Sequence, residues 1–310
     1  MNHHGEPTQR FRLLALDVDG TLLDGDGVLR SRTVQALARA ARAGIRPVIC
    51  TGRRYRRARS IALELGLDAP IVCNSGALVK RPSDHATLWR AEFDEPTLGE
   101  VFRLFREAEL HAVSFTDRAM GEADFLATHY PTGDALFDEY VTLNLPHAEV
   151  HRAWLQGAVL AADHFHVCAV GDRAAMLRFE TAVQQALPGR VRTFVQKSPR
   201  YQGTMCEILP IEASKWSAVL HLAALWGIDA SAICAVGDDM NDVPMIQGAG
   251  FGVAMGHAPD AVLAVADHVT ADHHNDGVSV LIDEILLPTT LGPSQNGDRH
   301  LEDSEPVPVL

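Results

Sequence analysis

The 310-residue sequence lacks the features expected of a protein that binds nucleic acid or crosses a membrane. Its 27 Lys and Arg residues are outnumbered by 40 Asp and Glu residues, which gives a formal net charge of -13. General affinity for nucleic acid or for an anionic membrane needs a basic face, so this balance argues against both. No apolar run is long enough to span a bilayer, because charged residues, His or Gly interrupt every candidate.

The sequence also lacks an export signal and a cysteine framework. Its first ten residues are polar and have no apolar centre of the kind found in signal peptides, so we expect a cytoplasmic protein. The five cysteines are odd in number, form no CxxC pair and lie mostly in apolar runs. This pattern predicts reduced, buried thiols and argues against a disulfide framework or a cysteine-based metal cluster.

Strands and helices alternate at the start of the chain. Strands are predicted at 11–16 and 45–50 and within 69–79, and helices at 31–43 and 55–67. Strands that alternate with helices over short links indicate a parallel sheet, and the chain length leaves room for a second domain.

The pattern changes near Pro82 and resumes about 120 residues later, a length typical of a domain in its own right. The intervening residues mix helical runs with strand-like runs, among them "HFHVCAV" (164–170). Alternation returns at "TMCEILP" (204–210) and continues through a helix at 214–226 and a strand at 232–237. The fold class is therefore predicted to be α/β, with a parallel-sheet core at 11–82 and 204–287, an inserted α+β domain at 83–203, and disordered tails at 1–10 and 288–310.

Polar side chains follow three of the predicted core strands. Asp17 and Asp19 follow the first strand. Thr51, Gly52 and Arg53 follow the second, and the cluster Asp238, Asp239, Asn241 and Asp242 follows the strand at 232–237. The carboxyl ends of parallel strands meet at one edge, so these groups should converge. A bound Mg²⁺ is the simplest way to neutralise several acids from distant segments. The alternative for the last cluster is that Asp238 or Asp239 caps the helix that follows.

Two other features suit a phosphate group. Thr51 and Gly52 precede a helix, whose free backbone N–H groups and dipole attract an anion. Lys215 lies at the start of another predicted helix and could contact a phosphoryl oxygen, although a lone lysine at such a position is more often a surface residue.

Four motifs in order carry a resemblance to a known family. "DVDGTLL", "TGR", "ASKWSAVLHLAALWGI" and "GDDMND" together resemble the haloacid dehalogenase superfamily of phosphatases. The size and position of the insert are similar to those of the Cof-type branch, which has a large α/β cap between the second and third motifs. The resemblance implies a Rossmann-like core with a cap over the site, and it covers about residues 11–82 and 204–286.

The resemblance also implies roles for individual residues. Asp17 is expected to be the nucleophile that forms an aspartyl-phosphate, and Asp19 the general acid and base. Mg²⁺ is expected to be held by Asp17, by the backbone carbonyl of Asp19 and by Asp238. The phosphoryl group is expected to contact Thr51, Gly52, Lys215 and Asn241, and Asp242 is expected to orient Lys215 or metal-bound water.

The expected activity is Mg²⁺-dependent hydrolysis of a small phosphorylated metabolite, either a sugar phosphate or a phosphorylated cofactor. One alternative is a phosphomutase on the same scaffold, and another is a non-catalytic relative that only binds such a metabolite. The sequence does not indicate an oligomeric partner.

Several side chains outside the motifs are expected to be structural. Asp24 and Asp26 are predicted turn residues, and most of "RRYRRAR" (53–59) is predicted to be the solvated face of a helix. His257, where the family more often has Asn, should lie on a loop near the site, and His273 and His274 are interpreted as surface residues. The cap contains six candidate specificity residues, namely His111, His129, His147, His151, His164 and His166. Alternation places His164 and His166 on one strand face, interpreted as the solvent face.

Overall fold

The structure is a computed structural model that describes residues 10–118, 120, 122–150, 164–197 and 200–287. The predicted tails, apart from Arg10, and the candidate His151 lie outside these residues. Within the described part of the chain, no helix combines the length and apolar character needed to cross a membrane.

A five-stranded parallel sheet forms the core, in the order β14-β13-β12-β1-β2. The strands are β1 (Leu13–Leu16), β2 (Arg46–Ile49), β12 (Ile233–Gly237), β13 (Phe251–Ala254) and β14 (His268–Val269). The central strands β1 and β12 are buried along their whole length, as expected for apolar runs in a sheet covered on both faces.

Helices cover both faces of this sheet. Leu14 and Leu16 pack with α1, α2 and α9, whereas Leu13 and Ala15 pack with α6 and α7 on the opposite face. The helices are α1 (Ser31–Arg42), α2 (Tyr55–Glu64), α6 (Lys215–Leu225), α7 (Val243–Gly248), α8 (Asp260–Leu263) and α9 (Gly277–Leu281). The predicted α/β class with a doubly wound parallel core is confirmed.

A separate six-stranded sheet lies in the insert, in the order β10-β11-β9-β6-β7-β8, antiparallel except for the pair β7–β8. Its strands are β6 (Ala112–Thr116), β7 (Phe125–Ala127), β8 (Ala148–Val150), β9 (His164–Gly171), β10 (Val191–Lys197) and β11 (Thr204–Pro210). Helices α3 (Glu95–Glu107) and α5 (Arg173–Ala186) pack on one face, and α4 (Ala135–Asn144) contacts β9. We call this sheet and its helices the cap.

A small antiparallel sheet lies beside the parallel one. It contains β3 (Ile71–Cys73), β4 (Leu78–Lys80) and β5 (Thr87–Arg90). A single parallel bridge between Cys50 and Val72 links it to the end of β2, so the loop after β3 lies at the same edge as the ends of the core strands.

The expectation that "TMCEILP" resumes the core sheet is wrong. Its residues form β11, which pairs antiparallel with β9 and β10 in the cap sheet and with none of the core strands. The sequence of an apolar strand suits either sheet, and only the strands that it pairs with show to which sheet it belongs. The return to the core takes place between β11 and Lys215, the first residue of α6.

The solvent-face interpretation of His164 and His166 is also wrong, because both are buried. Phe115 pairs with His166 and Thr116 with His164, so Phe165 is an extra residue in β9 and the alternation of faces breaks there. His164 bonds to the Ser114 hydroxyl, whereas His166 lies against the ring of Phe115, whose side chain points to the other face.

All five cysteines are buried and free, as predicted from their apolar surroundings. Burial raises the pKa of each thiol, so the cysteines remain neutral packing residues.

Candidate active site

Asp17 lies directly after β1 and contacts a buried lysine. The Lys215 ammonium donates to Asp17 Oδ1 at 2.6 Å and to Asp242 Oδ1 at 2.6 Å. Lys215 begins α6, which Ser214 caps through a reciprocal pair of bonds with Ser217. Only 1% of Lys215 is exposed, so it is not a surface residue.

Burial and the charge of the partner have opposite effects on the pKa values of Asp17 and Lys215. Burial, followed by the charge of Asp242, raises the pKa of Asp17 well above its ordinary value, and Lys215 opposes the change. Burial alone would lower the pKa of Lys215, but the two carboxylates outweigh it and raise the pKa. The lysine is therefore charged and stands between the two carboxylates of Asp17 and Asp242.

Asp238 follows β12 and is held by the loop after β1. Thr21 donates to Asp238 Oδ1 at 2.8 Å. The neighbouring Gly20 has φ +83, and a Cβ there would lie 2.3 Å from Asp238 Oδ2. Only glycine permits both the left-handed turn and this close approach.

Asp242 and Asp239 serve different purposes in the same loop. The Asp242 carboxylate accepts the backbone N–H groups of Asp238 and Asp239, both at 3.0 Å, in addition to Lys215. Asp239 caps the short 3₁₀ turn that follows, whereas Asp238 bonds to Thr21 instead. Capping therefore accounts for Asp239 and not for Asp238.

Asp19 lies apart from the other acids and pairs with Arg53. The guanidinium donates to Asp19 Oδ2 at 2.8 Å and to Oδ1 at 2.5 Å, a two-point contact. Burial alone would lower the pKa of Arg53, but the bonds and charge of Asp19 raise it. Arg53 follows the second core strand, and the structure places it in the site with the groups expected to converge there.

The predicted phosphate-binding residues lie together at the same edge. Thr51 is fully buried, and its hydroxyl accepts the backbone N–H of Arg53 at 3.0 Å. Gly52 and Asn241 line a cavity with Asp17 and Asp19. The space between the lining residues is about 830 Å³, which includes open solvent.

The donor set fits a hard divalent cation. Carboxylate oxygens of Asp17, Asp238 and Asp242 lie within 4.8 Å of one another. Asn241 Oδ1 is buried in the same loop and has no hydrogen-bond partner among the residues that the structure describes. Oxygen ligands with excess negative charge are those that Mg²⁺ prefers. The Asp19 carboxylate is engaged by Arg53, which leaves the predicted metal role to the backbone carbonyl of Asp19.

The cap contributes polar groups that the sequence did not assign. Glu207, on β11, is 2% exposed and accepts the Ser75 hydroxyl at 2.6 Å. Gln196, on β10, also bonds Glu207 and accepts from Asn241 Nδ2 at 3.0 Å. Burial raises the pKa of Glu207 to about 7, although Ser75 and Gln196 oppose the change. The sequence signal that could have identified Glu207 is a charged residue within the apolar run "TMCEILP".

Other arginines of the run at 53–59 join the core to the cap. Arg54 is buried and donates to Asn144 Oδ1 at 2.6 Å and to Asp124 at 3.2 Å, and Arg56 bonds the same Asp124. Arg57 donates to Asn144 Oδ1 at 2.8 Å. The prediction of a mostly solvated helix face is wrong here, because helical periodicity does not reveal that a cap packs on that face.

The histidines near the C-terminal loop lie at the rim. His257 Nε2 is 3.6 Å from Asp238 Oδ2, and His273 Nδ1 is 3.1 Å from His257 Nε2. His273 also contacts His274, and burial lowers the pKa of His273. Asp24 accepts the backbone N–H groups of Asp26 and Val28, which is the predicted turn.

Comparisons with known proteins establish the family. A sequence profile of haloacid dehalogenase-like hydrolases matches residues 14–282. The chain belongs to the haloacid dehalogenase-like hydrolase family, and the resemblance to its Cof-type phosphatases is confirmed.

Two phosphatases and one solved structure illustrate this relationship. The pyridoxal phosphate phosphatase YbhA of Escherichia coli is 29% identical over 284 residues, which cover 89% of this chain and 99% of YbhA. The 5-amino-6-(5-phospho-D-ribitylamino)uracil phosphatase YwtE of Bacillus subtilis is 26% identical over 291 residues, covering 89% and 98%. A haloacid dehalogenase-like hydrolase from B. subtilis, 22% identical, shares the fold with a TM-score of 0.71, covering 89% of this chain and all of that one. The protein is a phosphoric monoester hydrolase.

Proposed function

We propose that the protein is a Mg²⁺-dependent, cytoplasmic phosphatase that hydrolyses a small phosphorylated metabolite through an aspartyl-phosphate on Asp17. The observation that carries the proposal is that carboxylate oxygens of Asp17, Asp238 and Asp242 lie within 4.8 Å of one another beside the buried Lys215, and that Asp17 lines a cavity. In such a site the cation supplies charge to offset the phosphoryl oxygens.

The chain's own residues account for the remaining steps. An Asp17 oxygen attacks phosphorus, the bond from phosphorus to the ester oxygen breaks, and Asp19 gives its proton to that oxygen. Asp19 then takes a proton from water as the water attacks the aspartyl-phosphate. Lys215, Thr51 and the backbone at Gly52 hold the phosphoryl group, and Asp242 positions Lys215. Because Arg53 occupies both oxygens of Asp19, this pair must open for the proton transfer.

The charge of the residues that line the cavity supports the proposed substrate class. The cavity lining includes Arg54, Arg57, Lys197 and Arg200 together with the aromatic residues Phe115, Tyr140 and Tyr201. A basic rim in a protein with a net charge of -13 favours an anionic ligand locally. Because the relatives act on pyridoxal phosphate and on a phosphorylated ribitylaminouracil, the substrate panel should contain phosphorylated cofactors, their precursors and sugar phosphates.

The test is phosphate release from p-nitrophenyl phosphate and from this panel, with Mg²⁺ and with EDTA. Asp17→Asn should abolish release, and EDTA should do the same to the unaltered protein. Asp26→Asn makes the same chemical change in an exposed turn and should leave activity intact. Full activity of Asp17→Asn would refute the mechanism, and interconversion of sugar phosphate isomers with little free phosphate would indicate a mutase.

A further inference from the structure

One buried nitrogen in the cap wall has no partner. His166 is 1% exposed and lines the cavity, and its Nε2 makes no hydrogen bond within the part of the chain that the structure describes. Leaving a buried polar group unpaired costs about 1–3 kcal/mol, so an orphan at a cavity wall points to a ligand.

The contact between His166 and Asn74 determines which ring nitrogen of His166 carries the proton. Asn74 Nδ2 lies 3.3 Å from His166 Nδ1. An amide nitrogen can only donate, so Nδ1 accepts and the proton of the neutral ring is on Nε2. Burial lowers the pKa of His166 to about 3, which keeps the ring neutral. The cavity wall therefore presents one N–H donor.

An acceptor lies beside this donor. Glu207 Oε1 is 3.9 Å from His166 Nε2, too far for a direct hydrogen bond but close enough for one oxygen atom to bond both. Glu207 also lines the cavity, and its partners Ser75 and Gln196 both lie 3.3 Å from the position of a Cβ on Gly52. The gap is therefore near the predicted phosphate-binding loop.

We infer that His166 and Glu207 are specificity-determining residues that together bind one hydroxyl group on the alcohol portion of the substrate. A hydroxyl both accepts and donates, so its oxygen accepts from His166 Nε2 and its proton goes to Glu207 Oε1. An ether oxygen accepts from His166 but has no proton for Glu207, and a methyl group or a ring carbon bonds to neither. This inference rests on the proposed phosphatase function and adds the class of substrate, a phosphate monoester whose alcohol carries a further hydroxyl.

The experiment compares two groups of esters. Hydroxyl-bearing esters are ribose 5-phosphate, glucose 6-phosphate, glycerol phosphate and pyridoxal 5′-phosphate, and hydroxyl-free esters are p-nitrophenyl, phenyl and benzyl phosphate. The unaltered protein should prefer a member of the first group. For that ester, a deoxy analogue lacking one particular hydroxyl should show kcat/KM lower by about 10-fold or more.

Two variants locate the effect in the cap. His166→Asn keeps an acceptor for Asn74 but removes the Nε2 donor, and Glu207→Gln changes the acceptor. Each should lower kcat/KM for the preferred ester by about 10-fold while changing that for p-nitrophenyl phosphate less than about 3-fold. His166→Gln, which restores an N–H near the Nε2 position, should recover part of the loss. His164→Asn is the matched control on the same strand, since His164 bonds Ser114 and does not line the cavity.

The outcomes separate this inference from the proposed function. If the protein releases no phosphate from any ester, the proposed function fails and the inference fails with it. If phosphate is released but hydroxyl-bearing esters are not preferred, or the variants lose activity equally on both groups, only the inference is overturned. The deoxy comparison uses the unaltered protein, so it decides the question even where a variant does not fold.

Discussion

Replacing Glu207 by Gln should change how the stability of the protein depends on pH. Burial raises the pKa of Glu207 from 4.5 to about 7 in the folded protein, whereas the unfolded chain keeps the ordinary value. The folded state therefore holds a proton that the unfolded state has lost between these pH values. The stability associated with the protonated carboxyl is present below about pH 4.5 and is lost as pH rises through about 7.

The expected magnitude is large for one residue. A tenfold change in proton affinity is worth about 1.4 kcal/mol, so the full change corresponds to roughly 3 kcal/mol. Relative to the unaltered protein, Glu207→Gln should gain roughly this much unfolding free energy between pH 4.5 and pH 8. The charges that act most on Glu207 are those of Lys215 and Asp239, and Lys215 is charged throughout this range.

Urea denaturation followed by circular dichroism at pH 5, 6, 7 and 8, in metal-free buffer, gives the difference directly. Glu64→Gln, an identical change on the exposed side of α2, should show no such trend. If the difference in unfolding free energy between Glu207→Gln and the unaltered protein stays constant with pH, Glu207 is ionised in the folded protein. The argument from burial would then be wrong.

Two further substitutions test the geometry of the acidic cluster. Gly20→Ala should destabilise the protein by more than about 2 kcal/mol and lower phosphate release at least about 100-fold, because the new Cβ displaces Asp238. Gly27→Ala is the control, since Gly27 also has positive φ but open space around it, and equal effects of both changes would exclude the clash. Lys215→Met should destabilise the metal-free protein by about 3 kcal/mol, and the loss should shrink when Mg²⁺ is added. An identical loss with and without Mg²⁺, measured by thermal unfolding, would argue against a cation at this cluster.

The core was predictable because its signals are local. The apolar runs of β1 and β12 are each followed at once by acids, and parallel topology requires the ends of such strands to share an edge. The positions of Asp17 and Asp238 relative to one another follow from this requirement. The burial of Lys215 does not, because a lysine at the start of a helix also suits the surface. Their roles in catalysis remain predictions for the experiments above.

The cap was less predictable because its strand order and its contacts with the core depend on pairing between segments that are distant in sequence. The strand β11 is apolar and would suit either sheet, so its sequence could not show that β9 and β10 are its neighbours. The extra residue Phe165 in β9 changed which face His164 occupies, and the sequence of β9 alone does not show where its pairing with β6 skips a residue. Arg54 looked solvated for the same reason, since its partners Asp124 and Asn144 are distant in sequence.

The connection from β11 to α6 joins the two halves of the molecule over a very short length of chain. Glu207 is hydrogen-bonded into the cap sheet, and Lys215 begins a helix of the core. Because this connection is short, we expect any tilt of the cap relative to the core to shift the backbone next to the buried Lys215. The buried carboxylate of Glu207 and the ammonium group that contacts Asp17 therefore lie on one continuous segment, and an insertion or deletion within it should displace both groups together.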